Sequence, residues 1–542
     1  MVLNKRRFTL ILCAFLILGI DRMGLAGSER SLDPIKPKGS NRADGYVVRT
    51  ATEEELKQLA LEPPLLPDIR SYTAETVYAK LKKRPKGRVV IRRMLDMAIL
   101  NAFTRRQGRL AEWATRQVTN PVAIVIEHGY VTPGDLVKIL SPEYIEQTAP
   151  GVFILRRPMV VGPGATLHID ATIKEFRLSE EHGAFLVNDG LLFITDTALT
   201  GWREHENQPA QFRSDGVFRP FILSYGPQIY ILNSKITSMG YSALKSYGVS
   251  ISHSDRAVQR QRNRPRPTGW LINSTFRDNW FGFYSWEADD IVILGNSFLE
   301  NIIYGIDPHT HSHRLIIANN IAVGTKRRHG IIFSEGVSDS WIFGNRSHHN
   351  HVSGIVLDRS SGNNVVADNQ TYDNDGDGIA LYESSNNLLL KNRVIGNLRH
   401  GIRVRNSSDI RLFENLISAN KQVGIFGYKK DLSVIGRDVK LEPYKQQFSI
   451  AVVGGQLIHN GRTIVLDQPS RAQLYRVDFL KPFNRRGLQL TGILGEYQHQ
   501  LLDILIRRRA AAIIEPAASL LEENHSLFQR QMGMIIPPQM WG

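Results

Sequence analysis

Apolar and polar positions repeat every 23 to 25 residues through the second half of the chain. The repeat is marked by a glycine followed by an apolar residue, at Gly282-Phe283, Gly305-Ile306, Gly330-Ile331, Gly354-Ile355, Gly378-Ile379, Gly401-Ile402 and Gly424-Ile425. A unit this short cannot bury an apolar face by itself. The pattern therefore predicts a solenoid in which each repeat packs on the next.

Within each repeat, apolar residues alternate with polar ones after the glycine, which is the two-residue period of a β-strand. The positions one and three residues after the glycine are mostly apolar and are predicted to face the interior. Leucine-rich repeats have a similar length, but their Leu-x-x-Leu-x-Leu signature is absent. The sequence predicts an all-β solenoid, a right-handed parallel β-helix.

Asparagine recurs at the same interval of 23 to 25 residues, forming a column at Asn296, Asn320, Asn345, Asn369, Asn392 and Asn415. We expect these side chains to form a ladder of stacked amides at about the strand spacing of 4.8 Å.

The side chains on the opposite face of each strand are polar or aromatic. Four residues after the glycine stand Trp286, His309, Ser334, Asp358, Tyr382 and Arg405. The next position, where each strand is expected to bend away, holds Glu287, Thr310, Glu335, Arg359, Glu383 and Asn406. Such a face is suited to binding an extended polymer lengthwise, and an ordinary solvated sheet face is the alternative.

The flanking segments predict an exported protein with capped ends. Residues 1–26 are typical of a signal peptide, with Lys5, Arg6 and Arg7 before an apolar stretch; a retained anchor is the alternative. We expect a linker over 27–50 and a helical or mixed element over 51–135. The β-helix is expected over 136–490, with its regular repeats at 270–428. A C-terminal cap over 491–542 is expected to contain a helix from 496 to 514.

The chain has 67 Lys and Arg against 52 Asp and Glu, a formal charge of +15. This excess indicates an anionic partner such as nucleic acid, an acidic polysaccharide or a membrane surface. No nucleic-acid-binding motif and no second membrane-spanning stretch is present, and the single cysteine, Cys13, lies in the predicted signal peptide. No phosphate-binding or nucleophile motif occurs either, so we expect no cofactor.

The sequence Asp307-Pro308-His309 is the candidate catalytic motif. An imidazole titrates near neutral pH and can serve as a general base when it lies on a groove. Asp307 faces the same way as His309 on a strand and could fix its tautomer. A three-histidine metal site of His309, His311 and His313 and a calcium loop at 373–377 are alternatives, and we assign no metal.

Several blocks of this region resemble the periplasmic mannuronan C5-epimerases of bacterial alginate biosynthesis. They include Tyr304-Gly305-Ile306-Asp307-Pro308-His309, Trp341-Ile342-Phe343-Gly344-Asn345-Arg346 and Arg399-His400-Gly401-Ile402-Arg403-Val404-Arg405-Asn406. The resemblance implies a β-helix whose groove binds polymannuronate and whose activity converts β-D-mannuronate to α-L-guluronate within the polymer. It also implies a periplasmic location and association with proteins of the alginate secretion complex.

By the same resemblance, His309 is the base, the Asp-Pro-His motif sets its position, and water or a hydroxyl returns the proton. The residues expected to contact the substrate are Pro308, Arg314, Glu335, Arg346, Asp358, Arg359, Tyr382, Arg403 and Arg405. The chain departs from the family pattern at two positions, with Thr310 in place of an acid and Glu335 in place of an arginine. We expect another cation (Lys326, Arg327, Arg328 or Arg346) or protonation of Glu335 to compensate.

Two other functions remain open on the sequence. A polysaccharide lyase would share the fold and the proton abstraction but would then eliminate at C4. A non-catalytic or impaired scaffold would bind the polymer within the secretion complex without converting it.

Overall fold

Each repeat forms one rung of a right-handed parallel β-helix, which confirms the predicted fold class. The computed structural model describes residues 45–517 except 61, 63, 82–84, 106–108, 254–264, 434–442 and 479–489. The predicted signal peptide, residues 27–44 of the linker and residues 518–542 of the cap lie outside these ranges. A rung visits three sheets in turn, here named the groove sheet, the back sheet and the side sheet.

The groove sheet contains the parallel strands Val122–Val131 (first half), Met159–Val161, Leu186–Asn188, Ile222–Ser224, Gly248–Ser252, Phe281–Trp286, Tyr304–His309, Ile331–Ser334, Ile355–Asp358, Ile379–Tyr382, Ile402–Arg405, Val423–Tyr428, Arg462–Asp467 and Leu490–Gly492, with Arg88–Arg93 antiparallel at its start. The back sheet contains the second half of Val122–Val131 and the strands Ala165–Ile169, Leu191–Thr195, Gln228–Leu232, Thr268–Ile272, Val292–Leu294, Ile316–Ala318, Trp341–Phe343, Val365–Ala367, Leu388–Leu390, Ile410–Phe413, Ser449–Val453 and Arg471–Tyr475, closed by antiparallel Ala512–Pro516 and Tyr46–Thr50. The side sheet contains Ile145–Ala149, Val152–Leu155, Glu175–Ser179, Ala198–Arg203, Lys235–Thr237, Thr275–Arg277, Ser297–Leu299, Ile321–Val323, Arg346–His348, Gln370–Tyr372, Arg393–Ile395, Leu416–Ser418 and Gln456–Ile458, with Gln208–Pro209 beside it.

The helices in the described ranges are short and lie outside the rungs. They are Glu53–Leu59, Ala74–Lys80, Met94–Asp96, Ala98–Leu100, Asn101–Thr104, Arg109–Gln117, Pro133–Leu136, Ile493–Glu496, Gln498–Leu502 and a π-helical turn at Asp503–Arg507. None of these helices is long and apolar enough to cross a membrane.

The glycine column allows successive rungs to approach closely. A Cβ added to Gly305 would lie 2.4 Å from the carbonyl oxygen of Gly330 on the next rung, so a larger residue would push the rungs apart. The positions after the glycines, such as Ile306, Ile331 and Ile355, are fully buried in the interior core. The predicted parity of the strands is therefore confirmed.

The asparagine ladder is also confirmed. The side-chain amide of Asn320 donates to Asn345 Oδ1 at 2.9 Å, and that of Asn345 donates to Asn369 Oδ1 at 3.0 Å. The same oxygens accept the backbone N–H of the preceding rung, as Asn345 Oδ1 does from Asn320. A second ladder runs through Asn350, Asn374, Asn397, Asn420 and Asn460.

The N-terminal segment lies as a strap along the outside of the back sheet. Strand Tyr46–Thr50 pairs with Ala512–Pro516 at the C-terminal end of the solenoid. From there, Leu59 packs on the late rungs, Ile69 and neighbouring side chains pack on the middle rungs, and Val77 packs on the early rungs. The strap thus spans nearly the whole stack.

Helices Asn101–Thr104 and Arg109–Gln117 cover the outer face of the groove sheet at its first rungs. Phe103 and Trp113 pack on the outward side chains of Val160, Val187 and Leu223, all of which are buried. The outer face becomes accessible only from strand Phe281–Trp286 onward, where Trp286 is partly exposed. The open groove therefore begins one rung before His309.

Within the element expected to be helical or mixed over 51–135, Arg88–Arg93 is a strand because it pairs antiparallel with Val122–Val131. One secondary-structure prediction is wrong. The helix predicted to reach residue 514 ends at Arg507, and Ala512–Pro516 is a strand because both Arg471–Tyr475 and Tyr46–Thr50 pair with it. The first strand that pairs within the β-helix is Val122–Val131, inside the segment expected to be helical or mixed.

Replacing Asn345 by alanine is expected to destabilise the solenoid by about 1–3 kcal/mol, because its buried neighbours in the ladder lose their hydrogen-bond partner. Thermal unfolding followed by circular dichroism measures the effect. Gln370→Ala, at an exposed position of the side sheet, is the control and should leave Tm unchanged. An equal Tm for Asn345→Ala and the wild type would contradict the structural role of the ladder.

Candidate active site

His309 ends a strand of the groove sheet and projects into the groove. It aligns with Trp286 on the preceding rung and with Ser334 on the next. Its ring stacks on Trp286 with a centroid separation of 5.7 Å and an interplanar angle of 7°, and it contacts Tyr284 at 5.6 Å. Because 17% of the side chain is exposed, the ring is held firmly and still reachable from the groove.

The chain leaves the groove sheet immediately after His309 through a left-handed residue. Thr310 has φ 32°, and Glu335 and Arg359, at the same position on the next two rungs, have φ 60° and 49°. The chain therefore bends at the residue directly after each groove strand, as predicted. This bend brings the side chains of these residues toward the same edge of the groove. A β-branched threonine is rare in this region of backbone conformation.

A hydrogen-bonded chain connects His309 to the next rung. His309 Nδ1 lies 2.6 Å from Thr310 Oγ1, and Thr310 Oγ1 donates to Glu335 Oε2 at 2.8 Å. Glu335 Oε2 is itself 3.5 Å from His309 Nδ1, and Glu335 Oε1 accepts from Arg359 Nη1 at 2.6 Å. Arg359 also pairs with Asp358 at 3.1 Å.

Burial lowers the pKa of His309 to about 4; Glu335 opposes this shift, whereas Arg359 and Lys245 add to it. Burial alone would raise the pKa of Glu335, but His309, Arg359 and the Thr310 hydroxyl outweigh it and the pKa lies below its usual value. At neutral pH the site therefore holds an uncharged imidazole beside an ionised carboxylate.

Asp307 does not take the role expected for it as the partner that fixes the His309 tautomer. Its carboxylate accepts a hydrogen bond from Ser334 Oγ at 3.1 Å, while Thr310 and Glu335 occupy the Nδ1 side of the histidine. Asp307 is 1% exposed, and burial raises its pKa well above the usual range. It lies beneath the groove surface and supports Ser334.

The groove continues over the following rungs with an apolar floor between polar side chains. Ile332, Val356 and Ala380 form the floor and pack against Tyr304 and Tyr382. On the later rungs, Arg405 pairs with Glu383 at 2.8 Å and lies over the Tyr382 ring. Arg403 donates to the Tyr428 hydroxyl at 2.6 Å.

The structure thus brings together most of the predicted site residues on one sheet: His309, Asp307, Glu335, Asp358, Arg359, Tyr382, Arg403 and Arg405. Their contact with a substrate stays a prediction.

Three residues predicted to contact the substrate do not lie on the groove surface. Pro308 has the inward parity and is buried, so it faces the core. Arg314 lies outside the groove sheet, in ion pairs with Asp289 and Asp290. Arg346 is exposed on the side sheet because its strand belongs to another part of the rung.

The cations expected to offset the negative charge of Glu335 lie elsewhere. Lys326 pairs with Asp278 and Arg327 with Asp215, and Arg328 lies close enough to His329 to lower its pKa. Glu335 is not protonated, since its pKa is lowered. The cation that meets this carboxylate is Arg359, one rung further along the stack.

Lys245 is a groove residue that the sequence pattern missed. It precedes strand Gly248–Ser252, donates to Ser252 Oγ at 2.7 Å and places its ammonium 4.2 Å from the centre of the Trp286 ring. Trp286 stacks in turn on His309. Lys245 belongs to a connecting loop and not to the glycine-marked repeat, so periodicity gave no signal for it.

Metal ligation by the histidines is not supported in the described ranges, where no group of three or more His, Cys, Asp or Glu residues converges on a common point. His313 lies beside Asp289 and Arg266 instead of facing His309. Asp373 and Asp377, from the calcium-like segment, lie on a turn and on the groove edge respectively. The arrangement is suited to proton abstraction by His309 in a groove flanked by cations.

Comparisons with known proteins agree with this fold. Residues 310–439 match the family model described as right handed beta helix region, and residues 213–366 match that of the periplasmic copper-binding protein NosD. The chain is 51% identical over 479 residues to mannuronan C5-epimerase AlgG of Azotobacter vinelandii, covering 88% of this chain and 90% of the relative. It is 49% identical over 499 residues to the mannuronan C5-epimerase of Pseudomonas aeruginosa, covering 92% and 91%.

A solved structure, the crystal structure of the periplasmic alginate epimerase AlgG, superposes with a TM-score of 0.76 at 46% identity. The match covers 77% of this chain and 99% of the other.

The His309 ring is expected to protonate near pH 4, well below the value of about 6.5 for an unhindered histidine. Between these values the unfolded chain binds a proton that the folded one does not, so this residue's contribution to stability is present above about pH 6.5 and is lost as the pH falls toward 4. NMR titration of ¹⁵N-histidine-labelled protein measures the ring, with His309→Gln to assign its signal. A midpoint at 6.5 would contradict the burial of the ring.

Proposed function

The chain belongs to the mannuronan C5-epimerase family and is an isomerase, and we propose that it epimerises mannuronate to guluronate within alginate with His309 as the base. It is a periplasmic protein, like the solved relative. The observation that supports the proposal is the imidazole of His309, uncharged at neutral pH and accessible from a groove with arginines along its length.

Inversion at C5 requires removal of a proton next to the sugar carboxylate. A neutral imidazole in hydrogen-bond reach of that carbon-bound hydrogen can accept it, provided that Nε2 carries the free lone pair. The negative charge that develops on the carboxylate must be held by a cation or hydrogen-bond donors, because an ionised carboxylate makes the neighbouring proton poorly acidic. Water or a hydroxyl then returns a proton from the opposite face.

Arg359 is the cation that we assign to the carboxylate of the reacting sugar. Its guanidinium reaches back toward His309 through Glu335, whose other oxygen is 3.5 Å from the imidazole. A guanidinium has five donors in a planar fork, so Arg359 can hold Glu335 and Asp358 and still offer donors to the sugar carboxylate. Lys245 adds positive potential from the other side of Trp286.

The later rungs provide binding for neighbouring sugars of the same chain. From His309 to Arg405 the groove sheet advances by four strands, roughly 19 Å at about 4.8 Å per strand. Tyr382, Arg403 and Arg405 lie on the last two of these strands and offer an aromatic face and cations to a polymer that carries one carboxylate per residue. Contact with proteins of the alginate secretion complex, expected from the resemblance, stays a prediction.

Replacement of His309 by glutamine is expected to lower kcat at least about 100-fold, because the base is lost while the ring's volume is nearly kept. The assay incubates purified protein with polymannuronate and follows the anomeric NMR signals of guluronate. Absorbance in the ultraviolet is recorded in parallel, since a lyase would form an unsaturated product. Guluronate formed by His309→Gln at the wild-type rate would refute the assignment, and ultraviolet absorbance without guluronate would indicate a lyase.

Arg359→Met and Arg405→Met form a matched pair, because each removes an arginine that pairs with a glutamate on the groove edge. Removing Arg359 is expected to lower kcat about 10- to 1000-fold, as for loss of a donor to the developing charge. Removing Arg405, two rungs away, is expected to raise KM and leave kcat within about twofold, as for uniform binding. A loss of kcat in Arg405→Met together with a change in KM alone in Arg359→Met would contradict the placement of the reacting sugar at His309 and Arg359.

A further inference from the structure

We infer that Glu335, acting through the hydroxyl of Thr310, is the positioning carboxylate that holds His309 in the Nδ1–H tautomer and leaves Nε2 free to accept the substrate proton. This inference rests on the proposed function for the role of the base. It assigns a purpose to the two positions at which the chain departs from the family pattern. In this role both residues act on His309 and not on the reacting sugar.

The tautomer follows from counting protons. The Thr310 hydroxyl has one hydrogen, and it donates that hydrogen to Glu335 Oε2 at 2.8 Å because an ionised carboxylate can only accept. The hydroxyl oxygen Thr310 Oγ1 also lies 2.6 Å from His309 Nδ1, and because its own hydrogen is already donated, this short contact is favourable only if Nδ1 carries a hydrogen and donates it. In a neutral ring Nε2 is then unprotonated, which is the state that a general base requires.

Contacts to both carboxylate oxygens keep Glu335 charged and in place. Arg359 Nη1 donates to Oε1 at 2.6 Å, which leaves Oε2 for Thr310 and His309. Only 23% of the glutamate side chain is exposed, so water competes weakly for the carboxylate. A charged acceptor strengthens each hydrogen bond of the chain.

The backbone at Thr310 is held in an uncommon conformation for this purpose. With φ 32° the residue turns its Oγ1 back over His309 while its N–H donates to the carbonyl of Ser334 at 2.9 Å. A β-branched residue at positive φ is strained and persists only where its surroundings fix it. The neighbouring rungs have the same bend with Glu287 and Glu335, which are not β-branched.

Thr310→Val removes the hydroxyl and keeps the shape, whereas Thr310→Ser keeps the hydroxyl and serves as the matched control. We expect Thr310→Val to lower kcat about 10- to 100-fold, in the range seen when a partner that orients a histidine is removed. KM should change less than twofold, and Thr310→Ser should retain most of the wild-type kcat. Circular dichroism and Tm establish that each variant is folded.

Glu335→Gln keeps an acceptor oxygen but removes the charge. It is expected to lower kcat similarly and to move the acid limb of the kcat/KM profile to lower pH. The titratable or charged groups around His309 are Glu335, Arg359, Lys245 and Tyr284, whose ring contacts the imidazole, and Glu335 is the one that raises the pKa of the ring against the two cations. A merely structural role for Glu335 would leave the pH profile in place.

The ¹⁵N shifts of the His309 ring report the tautomer without any substrate. The wild type should show a protonated Nδ1 and an unprotonated Nε2 above about pH 6, and Thr310→Val should shift the ring toward a mixture of tautomers. A wild-type Nε2–H tautomer, wild-type kcat in both Thr310→Val and Glu335→Gln, or a gain of activity in Glu335→Arg would overturn the inference. Failure of the proposed function is distinct, because His309→Gln would then keep its epimerase activity whatever the tautomer.

Discussion

Parallel pairing of strands in register, one rung above the next, is the constraint on which the rest of this structure depends. It requires every side chain at a given position of the repeat to point the same way, so the chain has columns instead of isolated residues. The inward columns form one continuous apolar core, and the asparagine ladders satisfy the backbone where the rungs turn. The outward columns then form a groove whose chemistry is set by one residue per rung.

The chemistry of the site arises at the position just after each groove strand, where the residue type differs from one rung to the next. The left-handed residue after each groove strand places Thr310, Glu335 and Arg359 along one edge, so hydroxyl, carboxylate and guanidinium lie in series beside His309. Because these groups contact each other directly, the negative charge of Glu335 is countered by Arg359 before any substrate arrives. A carboxylate in this position is thus compatible with a polyanionic ligand.

The fold could be predicted from the sequence because it depends on periodicity alone. The glycine step and the parity of residues such as Ile306 and Ile331 identify the β-helix and the groove face, and they place His309 and Arg405 on it. The bonds between rungs could not be predicted in this way. The tie between Thr310 and Glu335 depends on the turn conformation, Arg346 belongs to a different sheet of its rung, and Lys245 reaches the groove from a loop without a repeat. At the C-terminus, tertiary pairing overrides the helix-forming pattern of residues 508–514.

The strap has a consequence for how the chain reaches its native state. Strand Tyr46–Thr50 is among the first parts of the described chain to be synthesised, yet its partner Ala512–Pro516 is among the last. Rungs can assemble locally, but this strand must wait for a loop of several hundred residues to close, and such non-local pairing is slow. This strand therefore docks only on a finished stack, and until it does so the outer edge of Ala512–Pro516 stays open to other chains.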